Sequence, residues 1–101
     1  MQEQISVTGR FSTTHGAKYL TQLCKHFGHK VPAQVDPDGG QGRVSFAMGE
    51  AQMQADAAAL HVTLTGADQG AIDQLQDVID SHLQRFAFRE DFTGMDWGTP
   101  A

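Results

Sequence analysis

Four side chains of this chain have the most chemistry to offer: Cys24, His26, His29 and, far along the sequence, His82. Thiolate and imidazole are ligands for zinc, iron and copper. The first three stand in Tyr19–Lys30, which holds the only cysteine, two of the five histidines, and Lys25 and Lys30. His26-x-x-His29 is a bidentate spacing on a helix, and His26, His29 and His82 form the candidate metal set, for zinc or iron. Helical geometry opposes a closed site. Cys24 and His26 are about 200° apart on a regular helix, so they cannot grip one ion. His82 reads as core-facing and His26 as facing away from the core. Bringing three imidazoles together would need the first helix to break at Gly28 and His29 to swing toward the second. No C-x-x-C or H-E-x-x-H pattern is present.

The same residues fit a second chemistry. Lys25, Lys30, Arg85 and Arg89 would form a cationic rim around His26, His29 and His82, suited to a small anionic ligand such as a carboxylate or a ferric chelate. Plainer readings compete with both. Cations at the end of a helix complement its dipole. Cys24 on an apolar stripe is a small buried hydrophobe. His82 is a core histidine bonded to backbone or to Tyr19. A small enzyme using His82 or Cys24 is a further alternative, but burial raises a thiol's pKa and works against a nucleophile. Gly39-Gly40-Gln41-Gly42 lies in a hairpin rather than before a helix, so it is no phosphate loop. No catalytic residue is assigned.

The elements that must position these groups follow from periodicity. Ile5 to Ser12 alternates apolar and polar, the period of a half-buried strand; Gly9 interrupts its apolar row, as a bulge or beneath a helix. Ser12-Thr13-Thr14 offers cap oxygens. Ala17, Leu20, Leu23, Cys24 and Phe27 then form a helical stripe, with Tyr19, Gln22, His26 and His29 on the opposite side. Gly28 is placed to stop the helix in a left-handed conformation. Four strands follow around 31–35, 43–48, 51–55 and 60–65, separated by Asp36-Pro37-Asp38-Gly39-Gly40, Gly49-Glu50 and Asp56-Ala57-Ala58. Asp68 caps a second helix with Ile72, Leu75, Val78, Ile79, Leu83 and Phe86 inward and Asp73, Asp77, Asp80 and Gln84 in water. Phe92 to Trp97 adds an edge strand, and the last residues fray.

The order β-α-β-β-β-β-α predicts an α+β fold, an antiparallel sheet with both helices on one face, in a TATA-binding-protein-like layout; the alternative is a ferredoxin-like split βαβ. The other face carries Ser6, Thr8, Arg10, Gln34, Arg43, Ser45, Gln52, Gln54, His61 and Thr63. It lies in water or pairs with a second copy as a structural homodimer. The chain's 101 residues suit a single domain, 1–101. A net charge of −5 argues against nucleic acid as a partner and against a polybasic membrane anchor. No apolar run approaches the ~20 residues of a membrane span. A lone cysteine and a start without a signal-peptide pattern place the expected location in the cytoplasm.

Tyr19-Leu20, Leu23-Cys24-Lys25-His26-Phe27, His29-Lys30, Gly42 with Phe46, Gly49, His82-Leu83 with Arg85-Phe86, Phe88-Arg89-Glu90 and the late Trp97 resemble the bacterial domain-of-unknown-function family 2218 over nearly the whole chain. The resemblance implies a short bacterial protein with no established activity. Siderophore uptake near some members points toward iron handling. Gly28 departs from the alanine frequent in similar sequences. The function expected is a non-enzymatic binding or accessory module tied to metal or siderophore handling.

Overall fold

The alternating rows become strands in a computed structural model that describes residues 4–90, 92 and 94–98. They are β1 (Ile5–Ser12), β2 (Ala33–Val35), β3 (Gln41–Phe46), β4 (Gly49–Ala55), β5 (Ala59–Gly66) and β6 (Asp96–Trp97). The sheet order is β2-β3-β4-β5-β1-β6, and every pairing is antiparallel. α1 (Gly16–Phe27) follows β1 and α2 (Gln69–Phe86) follows β5. α1 packs over β2, β3 and β4, and α2 over β4, β5 and β1, so the helices lie side by side on one face. A split βαβ would leave one strand between β1 and β2; here β3, β4 and β5 all intervene.

The core is the meeting of helix stripes with inward strand rows. Leu20 and Leu23 of α1, Ile72, Leu75, Ile79 and Leu83 of α2, and Leu60, Val62 and Leu64 of β5 are fully buried. Each such side chain contributes roughly 1.5–3 kcal/mol by leaving water. The opposite face carries the polar row foreseen for it, with Thr8 and Thr63 hydroxyls bonded across β1 and β5 at 3.0 Å. Among the described residues no helix is long and apolar enough to cross a membrane.

Local details depart from expectation for identifiable reasons. The β3–β4 turn is Ala47-Met48, and Gly49-Glu50 belongs to β4, with Phe46 opposite Gly49. Gly49 is needed there because a Cβ would run into the Thr65 carbonyl oxygen. Gly9 is neither a bulge nor a seat for a helix: the Trp97 ring lies where its Cβ would be. The Ser12-Thr13-Thr14 oxygens do not cap α1, whose cap residue His15 makes no capping side-chain bond. Gly28 closes α1 with right-handed geometry, φ −62°, and the chain turns away as Lys30 and Val31 N–H both bond the Phe27 carbonyl at 2.9 Å. Asp80 is not simply wet: its carboxylate accepts from Met95 N–H and Trp97 Nε1, fastening β6 to α2.

Other signals act as read. Gly39 takes φ +73° in the 36–40 turn, Asp56 Oδ1 accepts from Ala58 and Ala59 N–H, and Asp68 caps α2 through Ala71 N–H at 2.8 Å. The fraying expected at the end concerns residues 99–101, outside those described, and Gly98, whose N–H bonds Thr8 O at 3.0 Å.

Candidate functional site

His26 in the last turn of α1 and His82 in the last turns of α2 are brought together, their ring centroids 4.7 Å apart. This corrects the expectation that they face different ways. On a helix, residues three and four apart are neighbours. His26 and Tyr19 therefore lie only about 60° and 40° from Leu23, at the border of the apolar stripe rather than opposite it. Tyr19 is accordingly buried, and His26 meets the flank of α2.

Aromatic rings form the bed of this pair. Phe27 sits 5.3 Å from His26 and 4.8 Å from His82, Phe86 lies 6.1 Å from His26, and Phe46 backs Phe27 at 5.0 Å. His82 Nδ1 is 2.6 Å from the Val78 carbonyl. A carbonyl only accepts, so Nδ1 carries the proton and the neutral ring keeps its lone pair on Nε2. A donor bond to backbone from the other nitrogen is the arrangement that orients metal-ligating histidines. Partial loss of water around His26 holds its pKa below the ordinary imidazole value, and the positive charges of His82, Lys30, His29 and Arg85 lower it further.

The other candidate residues divide. Lys30 and Arg85 belong to the field around His26. His29 and Lys25 lie against a cavity of about 400 Å³ between α1 and β2, lined also by Cys24, Gly28, Ala33 and Val35. Arg89 stands 5.7 Å from the ring of Phe88. Among the described residues no three of His, Cys, Asp and Glu come together in a way that could hold a metal ion. Cys24 packs beneath Gly42, only 2% exposed. Burial pushes its thiol pKa up, against a smaller downward effect of the Arg43 backbone N–H.

A second polar cluster was not foreseen. Glu90, in the 3-10 turn Phe88–Glu90, accepts from Thr13 Oγ1 at 2.7 Å and from the Tyr19 hydroxyl, and lies 3.4 Å from His15 Nδ1. His15 N–H in turn bonds Thr13 Oγ1 at 3.0 Å. Burial raises the Glu90 pKa, but the donors from Tyr19, Thr13 and His15 outweigh it and hold the carboxyl below its usual value. Tyr19 is pushed up to about 12, first by burial, then by the bond to Glu90 and its charge. Glu90 stands more than seventy residues from these partners, so no local spacing could reveal them. Their only sequence signal is that each is a polar group beside an apolar stripe.

The family described as "Uncharacterized protein conserved in bacteria (DUF2218)" matches residues 8–98. No curated protein matches the chain. Among solved structures, the NMR structure of PA4090 from Pseudomonas aeruginosa is similar, with a TM-score of 0.76 and 26% identity over 93% of this chain and 95% of that one.

Proposed function

Because the chain belongs to that uncharacterised bacterial family, we propose from its geometry that it is a non-enzymatic binding module holding a small anionic ligand, a carboxylate or a ferric chelate, where the C-terminal ends of its two helices meet. The observation that carries this reading is the juxtaposition of His26 and His82 at 4.7 Å within the field of Lys30 and Arg85. Among the described residues no Asp or Glu pairs with either cation. Helix C-termini supply roughly half a negative charge each, which offsets only part of two fixed cations and two imidazoles. A carboxylate seated there would accept from Lys30, Arg85 and a protonated His26.

A metal enters this reading as part of the ligand. Two imidazoles are too few for a structural zinc site, but they can complete the coordination of an ion whose other donors arrive with a chelator. The aromatic bed of Phe27 and Phe86 suits a ligand with a flat apolar part. The module would work in the cytoplasm. The rival, a structural homodimer through the open sheet face, is supported only by that face being uncovered, and its residues are polar throughout.

Calorimetry with citrate, ferric citrate and zinc chloride tests the reading. Citrate should bind the native protein more tightly at pH 6 than at pH 7.5, because binding favours imidazolium and takes up protons. His26→Ala/His82→Ala and Arg85→Glu should each lose at least ten-fold in affinity. Equal heats for native protein and double variant would overturn the site, and zinc binding without citrate would shift the reading to a bare metal centre.

A further inference from the structure

The cavity beside β2 is lined by Lys25, which stands apart from the His26–His82 pair, and by His29, which also belongs to the field around His26. β2 is the outermost strand on its side of the sheet. Its ladder to β3 pairs Ala33 with Val44, Gln34 with Arg43 and Val35 with Gly42. Just outside the strand, Ser45 N–H bonds Pro32 O and Asp36 N–H bonds Gln41 O, both at 2.9 Å. Antiparallel ladders alternate inward and outward peptide groups. With residues 32 and 36 bonded inward, Gln34 is inward too, and the N–H and C=O of Ala33 and Val35 point away from the sheet. The edge therefore presents two donors and two acceptors to an incoming chain.

The side chains of Ala33 and Val35 stand on the helix side of the sheet and form the floor of the 400 Å³ cavity, with Cys24, Lys25, Gly28 and His29 of the α1 side completing it. A strand docked on β2 would thus lay every second side chain along this trough and the others on the Gln34 face. The trough has a sign. Gly28, next to His29, lies beside Ala33, where its Cβ would stand 3.5 Å from that of Ala33. Lys25 is one helical turn behind. His29 therefore flanks the start of β2, Lys25 lies farther along toward Val35, whose partner Gly42 meets Cys24, and Asp36 follows the strand's end.

We propose that the β2 edge and the α1–β2 trough form a docking site for an extended acidic peptide, which adds as an antiparallel seventh strand and places an acidic side chain near its C-terminal end against Lys25 and His29. Main-chain bonds to Ala33 and Val35 give the affinity, and the trough selects small apolar side chains followed by a carboxylate. The antiparallel sense matches every other pairing in the sheet. Antiparallel pairing of β2 with β2 of a second copy would bring Asp36 of one copy toward Lys25 and His29 of the other, and it is told apart from peptide docking by its dependence on protein concentration.

The test is an NMR titration of the full chain with an end-capped hexapeptide of alternating threonine and valine whose last residue is glutamate. The Ala33 and Val35 amides should shift most and become slower to exchange with solvent. Replacing the glutamate by lysine should weaken binding at least ten-fold. N-methylation of the peptide amides that face β2 should abolish it. Lys25→Glu/His29→Glu, both exposed positions, should reverse the preference and favour the lysine peptide. Unchanged Ala33 and Val35 amides at millimolar peptide, or equal binding by the N-methylated form, would overturn the proposal. So would the same amides becoming protected with rising protein concentration and no peptide, the result of self-pairing. Citrate binding at His26 and His82 is read from other amides, so the two sites fail or stand separately.

Discussion

The two ends of α1 solve opposite electrostatic problems. At the start, Thr13, His15 and Tyr19 converge on one carboxylate, Glu90, and the donors match the acceptor. At the finish, His26 stands among His82, Lys30, His29 and Arg85, none of which brings a negative charge. The first cluster closes the molecule on itself: it ties the turn after α2 to the start of α1, beside the Phe11, Tyr19 and Phe92 rings. The second leaves charge unmatched. In the proposed reading, an anion from outside would supply at the second end what Glu90 supplies at the first.

Removing Glu90 should break this contrast with the largest effect. Glu90→Ala leaves the buried Tyr19 hydroxyl and Thr13 Oγ1 without their acceptor. A hydrogen bond to a charged, largely covered group is worth about 1.5–3 kcal/mol, so urea denaturation should show a loss of about 2 kcal/mol. Tyr19→Phe should lose less, because Thr13 still serves the carboxylate. A Glu90→Ala midpoint equal to that of the native protein would mean the latch carries no stability and the ends of α1 do not differ in kind.

Acid and base sharpen the comparison next, since each cluster has its own window. Glu90 has a folded pKa below its ordinary 4.5, so its contribution is present above that value and is lost as pH falls through the lower, folded one. Tyr19 is raised from 10.0 to about 12. The unfolded chain ionises first, and stability should decline as pH climbs from about 10 toward 12. His26 is lowered from 6.5. Here the unfolded chain takes up the proton first, so stability should begin to fall as pH drops below that value. Denaturation followed from about pH 2 to 12 should show two separate acid steps, and Glu90→Gln should remove only the lower one.

The architecture was legible because period and burial coincide. The rows of β1, β4 and β5 and the stripe of α2 each report which side meets the core, and Asp56 and Asp68 announce their turns through short-range bonds. The misplaced β3–β4 turn shows the limit: Gly49 suggested a bend, but close passage of β4 over Thr65 is what requires it. The histidine pair was half legible. His26 and His82 stood out by type, yet their meeting depends on how two helices lie together, and a wheel divided into wet and dry halves hides the border positions where helices touch. The Glu90 latch and the Asp80–Trp97 bond join residues far apart in the chain, and no local pattern carries such pairs.

The smallest expected effect bears most directly on what the cationic end is for. His26→Gln removes one titrating neighbour without opening a cavity, since His26 is exposed; at pH 8 its stability should lie within about 0.5 kcal/mol of the native protein. At pH 5.5 the variants should part. In the native protein, protonating His26 adds a charge beside His82, Lys30 and Arg85, and that repulsion acts over distances comparable to the screening length of about 10 Å at 0.1 M salt. Raising sodium chloride from low to high concentration should therefore lift the native Tm at pH 5.5 more than it lifts that of His26→Gln. Citrate should do the same at far lower concentration if a carboxylate seats among these groups. Equal salt responses in the two proteins would show that the charges at this end are already balanced, and the reason for expecting an anion there would be gone.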